Sequence, residues 1–508
     1  MRTARLATVS LVLALLMAGC TAGRPQTVVS DEDAVRPLAI PPLAASMVDA
    51  DGTRVFNLKA EQGTTDFGDG RVSDTIGLNQ SYLGPTLRMT RGENVKLNVT
   101  NGLPEMTTLH WHGMHVPAKN DGGPHQMIQP GQTWSPSWKI DQPAATLWYH
   151  SHPHGQTAQQ VYRGLAGMLL IDDPANEPAG LPQTYGVDDV PVIVQDKAFD
   201  SAGELVVDPQ GSATTGFLGE TLVVNGTVAP YFEAKSTLVR LRLLNASNAR
   251  FYDFGFADDR PFDMIGSDGG FLGQPYRTER IQLSPAERAD IVVTVQPGES
   301  IKLMSYPPNL GSEIGSRNVF GSGTFMVLEL RAAQRLSDAT SVPAELATYE
   351  RLDPAEAATT RTFRLQSRAI NGRPMMMARI DEVVTVDQVE IWSVTNADPQ
   401  PHNFHAHDIQ WQVLDIDGSP PPPELAGQKD TVYIAPRTTV RLIMRFTQYT
   451  DPNWPYMFHC HLLLHEDTGI MGQFVVVKPG EQASSMVTGT NMMGQGGGDG
   501  AMDMGHGA

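Results

Sequence analysis

Apolar and polar residues alternate in short runs along most of this chain, as in Val95-Lys96-Leu97-Asn98-Val99 and Val239-Arg240-Leu241-Arg242-Leu243. A period of two places the apolar set on one face of an extended backbone, so these runs predict half-buried strands. Each run ends at an asparagine, Asn101 and Asn245, and a looser copy runs from Val389-Glu390-Ile391 to Asn396. The three asparagines stand 144 and 151 residues apart. That is about one domain length, which predicts three copies of a single unit. With 48 glycines and 37 prolines in 508 residues to make turns, the expected unit is a Greek-key β-sandwich and the fold class is all-β. The copies are expected over residues 46–178, 185–335 and 361–480. Residues 172–178, rich in Asp and Pro, and residues 335–360, rich in Ala, Asp and Glu, read as linkers. Pro420-Pro421-Pro422-Pro423 falls inside the third unit and is expected as a surface loop between strands.

The two ends of the chain break this pattern. Arg2 and Arg5 precede an apolar run from Leu6 to Met17 that closes in Leu16-Met17-Ala18-Gly19-Cys20. A short apolar run after a basic start is an export signal. Its ending resembles a bacterial lipobox, so residues 1–19 are expected to be removed and Cys20 to be lipidated. Residues 20–45 then form an exported linker, and the protein is expected at the cell envelope, outside the cytoplasmic membrane, reaching it only through that anchor. Residues 481–508 are glycine-rich and expected to be disordered. They carry Met486, Met492, Met493, Met502, Met504 and His506, soft groups suited to cuprous ions.

Thirteen of the 14 histidines lie at or near four motifs. These are His110-Trp111-His112, His150-Ser151-His152-Pro153-His154, His402-Asn403-Phe404-His405-Ala406-His407, and His459-Cys460-His461 followed by His465. On a strand, His-x-His turns two imidazoles to one side. In the last motif His459 and His461 would face one way and Cys460 the other. A soft thiolate with two imidazoles suits copper in an electron-transfer site. Cys20 and Cys460 are the only cysteines, so with one assigned to lipid and one to metal no disulfide is available. The central unit has no histidine and is expected to act as a spacer in the metal chemistry.

In order and spacing the four motifs resemble those of the multicopper oxidases. Leu147-Trp148-Tyr149-His150, Gly164-Leu165-Ala166-Gly167, Lys429-Asp430-Thr431-Val432 and His465-Glu466-Asp467-Thr468-Gly469 also look like that family's text. The resemblance covers nearly all of the chain after about residue 50 and implies cupredoxin-like domains with four coppers per chain. It assigns His402, Cys460 and His465 to the type 1 (blue) copper, where substrate electrons enter. His110 and His405 fall to type 2, and His112, His150, His152, His407, His459 and His461 to the type 3 pair. The axial type 1 position falls on Ile470, with Met471 facing the other way, and an aliphatic residue there implies a comparatively oxidising copper. Asp121 and Glu466 match positions that deliver protons or hydrogen-bond the cluster, although Asp121 could also simply make a turn before Gly122-Gly123. His115, His125 and His154 are left without direct metal contact.

The implied reaction is reduction of dioxygen to water, fed by a small reductant. The Met-rich tail and Met375-Met376-Met377 point to Cu(I) as that reductant, in copper tolerance; the alternative is a laccase acting on phenols or aromatic amines. A non-enzymatic scaffold of the same fold would be expected to lack ligands, and none is missing. Removing residues 1–19, with two arginines and no acid, takes the formal charge from −19 to −21. That charge argues against nucleic acid as a partner. A monomer is expected.

Overall fold

The computed structural model describes residues 34–484 apart from 69, 208–214, 312–322 and 339–340. The export signal, Cys20 and the Met-rich tail lie outside the described residues. Among the described residues no helix is long and apolar enough to cross a membrane.

Strands fall into six sheets, two to each predicted unit. The first sandwich faces a sheet built on Arg54–Asp66 and Asn94–Asn101 against a four-stranded sheet that ends at His110–His112. The second pairs a seven-stranded with a six-stranded sheet, and the third pairs two five-stranded sheets. Apolar faces meet between the sheets: Leu97 and Val99 in the first unit, Leu241 and Leu243 in the second, Trp392 and Val394 in the third are all buried.

The repeat read from the asparagines has a physical basis. In each unit the alternating strand runs parallel to an earlier one, and the register ends on the asparagine: Ala60 opposite Asn101, Val194 opposite Asn245, Leu365 opposite Asn396. Each buried side chain then makes the same three bonds. Asn101 donates to the carbonyls of Glu105 and Ile128 and accepts from the Leu103 amide. Asn245 does so with Arg250, Leu283 and Ser247, and Asn396 with Gln400, Ile434 and Asp398. One amide thus closes the loop after its strand and ties it to the rest of the sandwich. Only a side chain with both donor and acceptor can do this.

The segment expected as exported linker is partly built into the fold. Arg36–Pro37 adds a parallel strand beside Pro230–Ser236 of the second unit, and Leu43 bridges to Thr86 of the first. The Pro420–Pro423 stretch is mostly exposed and leads into a single 3-10 turn, Pro423–Leu425.

The first and third units meet where their histidine-bearing strands converge. His110–His112 is the outer strand of its sheet and pairs with Ala145–His150, placing His110 opposite His150. In the third unit His402–Ala406 pairs with Tyr456–His459, placing His405 opposite His459. Two short helices, Thr157–Arg163 and Leu463–Asp467, pack across the same junction.

Candidate metal centre

Eight histidines from the two outer units converge in one buried cluster. His110, His112 and His405 offer ligand atoms within 4.8 Å of one another, as do His112, His150 and His461, and His152, His407 and His459. On the far side of Cys460, a fourth group joins it to His402 and His465. Every residue assigned to copper from the sequence is therefore in one of two adjacent sites.

The outer nitrogens of most cluster histidines are held by acceptors. Nδ1 of His110 donates to the Asp121 carbonyl at 2.9 Å and Nδ1 of His405 to the Asp430 carbonyl at 2.8 Å. Nδ1 of His407 meets the Asp121 carboxylate at 2.6 Å, and Nδ1 of His150 donates to the Ser151 carbonyl at 2.9 Å. His112 is turned the other way, its Nε2 bonded to Asp430 Oδ1 at 3.1 Å. A proton on the outer nitrogen leaves a lone pair on the inner one, the tautomer a metal needs. The inner nitrogens point at each other: His407 Nε2 and His152 Nε2 each lie 3.3 Å from His459 Nε2, and His150 Nε2 lies 3.4 Å from His461 Nε2. The inner nitrogens of His110, His112 and His405 have no protein partner.

Lone pairs crowded in this way repel unless a cation lies between them, so the donor set fits metal. Burial first, and then neighbouring imidazoles, push His112, His150, His405, His407 and His461 well below the ordinary histidine range. Ligand imidazoles must be neutral. These are.

At Cys460 the strand has ended, yet the alternation read from the sequence persists. The rings of His459 and His461 sit on one side with centroids 5.3 Å apart. Sγ of Cys460 lies on the other, 3.4 Å from His402 Nδ1 and 3.7 Å from His465 Nδ1. Ile470 is fully buried in the same apolar cluster as Cys460, and its carbonyl accepts the Cys460 amide at 3.0 Å. Met471 starts the next strand opposite His459 and lines a separate cleft of about 240 Å³ with Arg373 and Arg379.

Both carboxylates singled out in the sequence are at the cluster. Asp121 reaches His110 and His407, with Gly122 at φ +79° turning the chain where a Cβ would meet the Leu109 carbonyl at 1.8 Å. The Asp121 carboxylate accepts no backbone N–H of this turn among the described residues: Oδ2 bonds His407 and Oδ1 has no hydrogen-bond partner, so the side chain faces the cluster and does not cap the turn. Glu466 stands between His152 and His459, at 3.3 and 3.1 Å, though neither N–H is aimed well enough for a hydrogen bond. His115 and His125 pair with Gln410 and Gln473, His154 is exposed, and none of the three joins a ligand group among the described residues.

Four functional side chains escaped the sequence reading. Asp398 bonds the outer nitrogen of His402 at 3.1 Å and is partly exposed. Asn403 Oδ1 accepts the His461 amide at 2.7 Å and lies 3.6 Å from Cys460 Sγ. Its Nδ2 is anchored to Ser284 and Pro285 of the central unit. Asp430 holds His112 and is itself gripped by Arg288, also of the central unit. That unit supplies no ligand, but its expected role as a mere spacer is corrected: its polar groups position residues of both metal sites. Asp430 stood inside a motif, but nothing in local spacing ties it to a histidine 318 residues away.

A fold of three sandwiches with this donor set defines a copper protein of the cupredoxin-like class. Multicopper oxidase family profiles match residues 59–176, 199–301 and 342–480. The chain is 35% identical over 445 residues to the multicopper oxidase mco of Staphylococcus haemolyticus, covering 86% of this chain and 92% of that protein. It is 38% identical over 473 residues to the cell division protein FtsP of Edwardsiella tarda, covering 91% and 96%. Among solved structures, a bacterial laccase-like multi-copper oxidase from Ochrobactrum sp. superposes with a TM-score of 0.79 at 36% identity, covering 87% of this chain and 100% of that one. The chain belongs to the multicopper oxidase family. It is an oxidoreductase with copper as cofactor, and such enzymes use dioxygen and a reducing substrate.

Proposed function

We propose that this enzyme oxidises a small reductant one electron at a time at the Cys460 site and reduces dioxygen to water at the histidine cluster, with four coppers per chain. His402, Cys460 and His465 would hold the type 1 ion, and His110 and His405 the type 2 ion. His112, His150 and His461 would hold one type 3 ion, and His152, His407 and His459 the other. Copper in these places supplies the one-electron chemistry that no side chain here can. The observation that carries the reading is the join between the sites: Cys460 is flanked in sequence by His459 and His461, so a few covalent bonds link one donor set to the other.

The remaining roles belong to side chains. Asp398, partly exposed and bonded to His402, gives the reductant a polar approach to the first site. Water formation consumes four protons, and Asp121 and Glu466 each stand against two cluster histidines, placed to hold and pass them. Ile470, the residue that the family resemblance puts at the axial position, has no donor atom in its side chain and would add none to a type 1 ion held here. Ile470→Met should therefore lower its reduction potential, measured by redox titration of the visible band; an unchanged potential would take the axial position away from residue 470.

Cu(I) is the leading substrate, supported by the soft Met and His groups of the tail and by Met376, which is 57% exposed beside the third sandwich. The Ochrobactrum relative has oxidase activity towards lignin model compounds and lignosulfonate, which favours phenols as the second reading. Truncation after Ser484 separates the two. Ser484 still bonds Pro452 and Asn453 of the third unit, so the cut leaves the sandwich intact and the melting temperature unchanged. Steady-state rates should fall for Cu(I) at low copper and stay constant for a bulky phenol. The Cu(I) defect should persist in mild acid, because thioethers do not titrate there while His506 does. Equal losses towards both substrates would mean a structural role for the tail, and no loss towards either would put the laccase reading first.

A further inference from the structure

We infer that Arg288, from the one unit that supplies no copper ligand, is a positioning residue for the trinuclear cluster, locking the Asp430 carboxylate against His112. The inference rests on the copper reading above.

Arg288 opens the strand Arg288–Thr294 and is fully buried. Its guanidinium has five N–H donors, and every one is used. Nε donates to the Thr146 carbonyl of the first unit at 3.0 Å. Nη1 donates to the Ala286 carbonyl at 3.1 Å, and Nη2 to the Asp268 carbonyl at 2.8 Å. The two remaining N–H groups form a fork on Asp430 of the third unit, to Oδ1 at 2.7 Å and Oδ2 at 2.6 Å. A two-point fork fixes the plane of a carboxylate, not only its distance. Here that plane matters, because Asp430 Oδ1 accepts from His112 Nε2 and the Asp430 carbonyl accepts from His405 Nδ1. The arginine thereby orients the His112 ring, on which the His405 ring, held by the Asp430 backbone, stacks with centroids 3.8 Å apart. It also fixes which nitrogen of His112 faces the metal.

The surroundings are built around the pair. Gly113, the residue after His112, sits at φ +85°, and a Cβ there would meet Asp430 Oδ2 at 2.7 Å and Arg288 Nη2 at 2.9 Å. Ala286 is held at φ +76°, a costly conformation for a side chain with a Cβ, and its carbonyl serves Nη1. Charge is matched nearby: Lys429 Nζ lies 3.0 Å from Asp268 and 2.8 Å from Glu287, all buried. A buried arginine that only glued domains would need none of this aim at a histidine. Arg242 is such a residue. It is buried, forks onto Asp189 at 2.6 and 2.9 Å and touches Thr146 at 2.8 Å, and its bonds reach no histidine.

The test compares copper-loaded full chains of wild type, Arg288→Met, Arg288→Lys and Arg242→Met. Copper per chain is measured after dialysis against a graded chelator, beside the visible thiolate–copper band, the melting temperature and oxygen uptake. Arg288→Met should hold cluster copper about 10–100-fold more weakly while keeping the thiolate band. Arg288→Lys keeps a charge but loses the fork, and should show the same loss in part. Arg242→Met should melt lower yet retain copper like wild type. Wild-type retention in Arg288→Met, or equal copper loss in Arg242→Met, would overturn the inference. If Arg288→Met fails to fold, Arg288→Lys decides, and wild-type affinity there overturns it equally. Wild-type protein that loads no copper on the histidine cluster would sink the copper reading itself, an outcome read before any variant.

Discussion

Cys460→Ser should abolish the intense thiolate-to-copper absorption and reduce oxidase turnover to background, while copper on the histidine cluster stays bound. Cys460 supplies the sulfur donor of this group, with Sγ held between His402 and His465. Serine nearly matches its volume but offers a hard, poorly ionised oxygen to a soft-donor position. The fold around it should survive, because local anchoring is by backbone: the residue-460 amide to the Ile470 carbonyl, and the His461 amide to Asn403. Visible and near-ultraviolet spectra, with copper counted per chain, check this. A variant that stayed blue would remove Cys460 from the site.

The copper-free protein should lose stability steeply below neutral pH. Burial first, then neighbouring imidazoles, hold His112, His150, His405, His407 and His461 well below 6.5, and burial brings His152 down to about 4. In the unfolded chain each takes up a proton near 6.5. Below 6.5 the folded state therefore binds fewer protons than the unfolded state, and stability that is complete above 6.5 is lost as pH falls towards the folded values. Each histidine weakens the fold by at most about 1.4 kcal/mol per pH unit in that window, while buried carboxyls with raised pKa, Asp467 to about 7 and Asp268 to about 6, hold protons in the folded state there and offset part of the loss. The net effect should weaken the junction of the first and third units between about pH 6.5 and 5. Melting of copper-free protein across that range measures it. Bound copper competes with protons and should move the transition to lower pH. A flat melting temperature without copper would mean that the cluster does not stay neutral and buried.

What could be read from the chain alone was local. His-x-His on a strand needs only the backbone's period of two, so His110/His112, His150/His152, His405/His407 and His459/His461 were visible as pairs. The asparagine repeat was visible for the same reason, since Asn101, Asn245 and Asn396 each close the loop directly after their own strand. Asp121 and Glu466 were legible through their nearness in sequence to ligands. Partners set by domain docking were not: Arg288 meets Asp430 across 142 residues, and Asn403 reaches Pro285 across 118. No periodicity records such pairs. The strand Arg36–Pro37 was missed too, because two residues with no alternation carry no strand signal.

In the proposed function, two joined donor sets let one-electron oxidations feed a complete reduction of dioxygen. Its most direct test is the oxygen balance of the copper-loaded enzyme, with oxygen uptake, reductant consumed and hydrogen peroxide followed together, using Cu(I) and a phenol in turn. One dioxygen should be consumed for every four electrons delivered, with no peroxide accumulating. Two electrons per dioxygen with peroxide released, or no uptake with either donor, would contradict it.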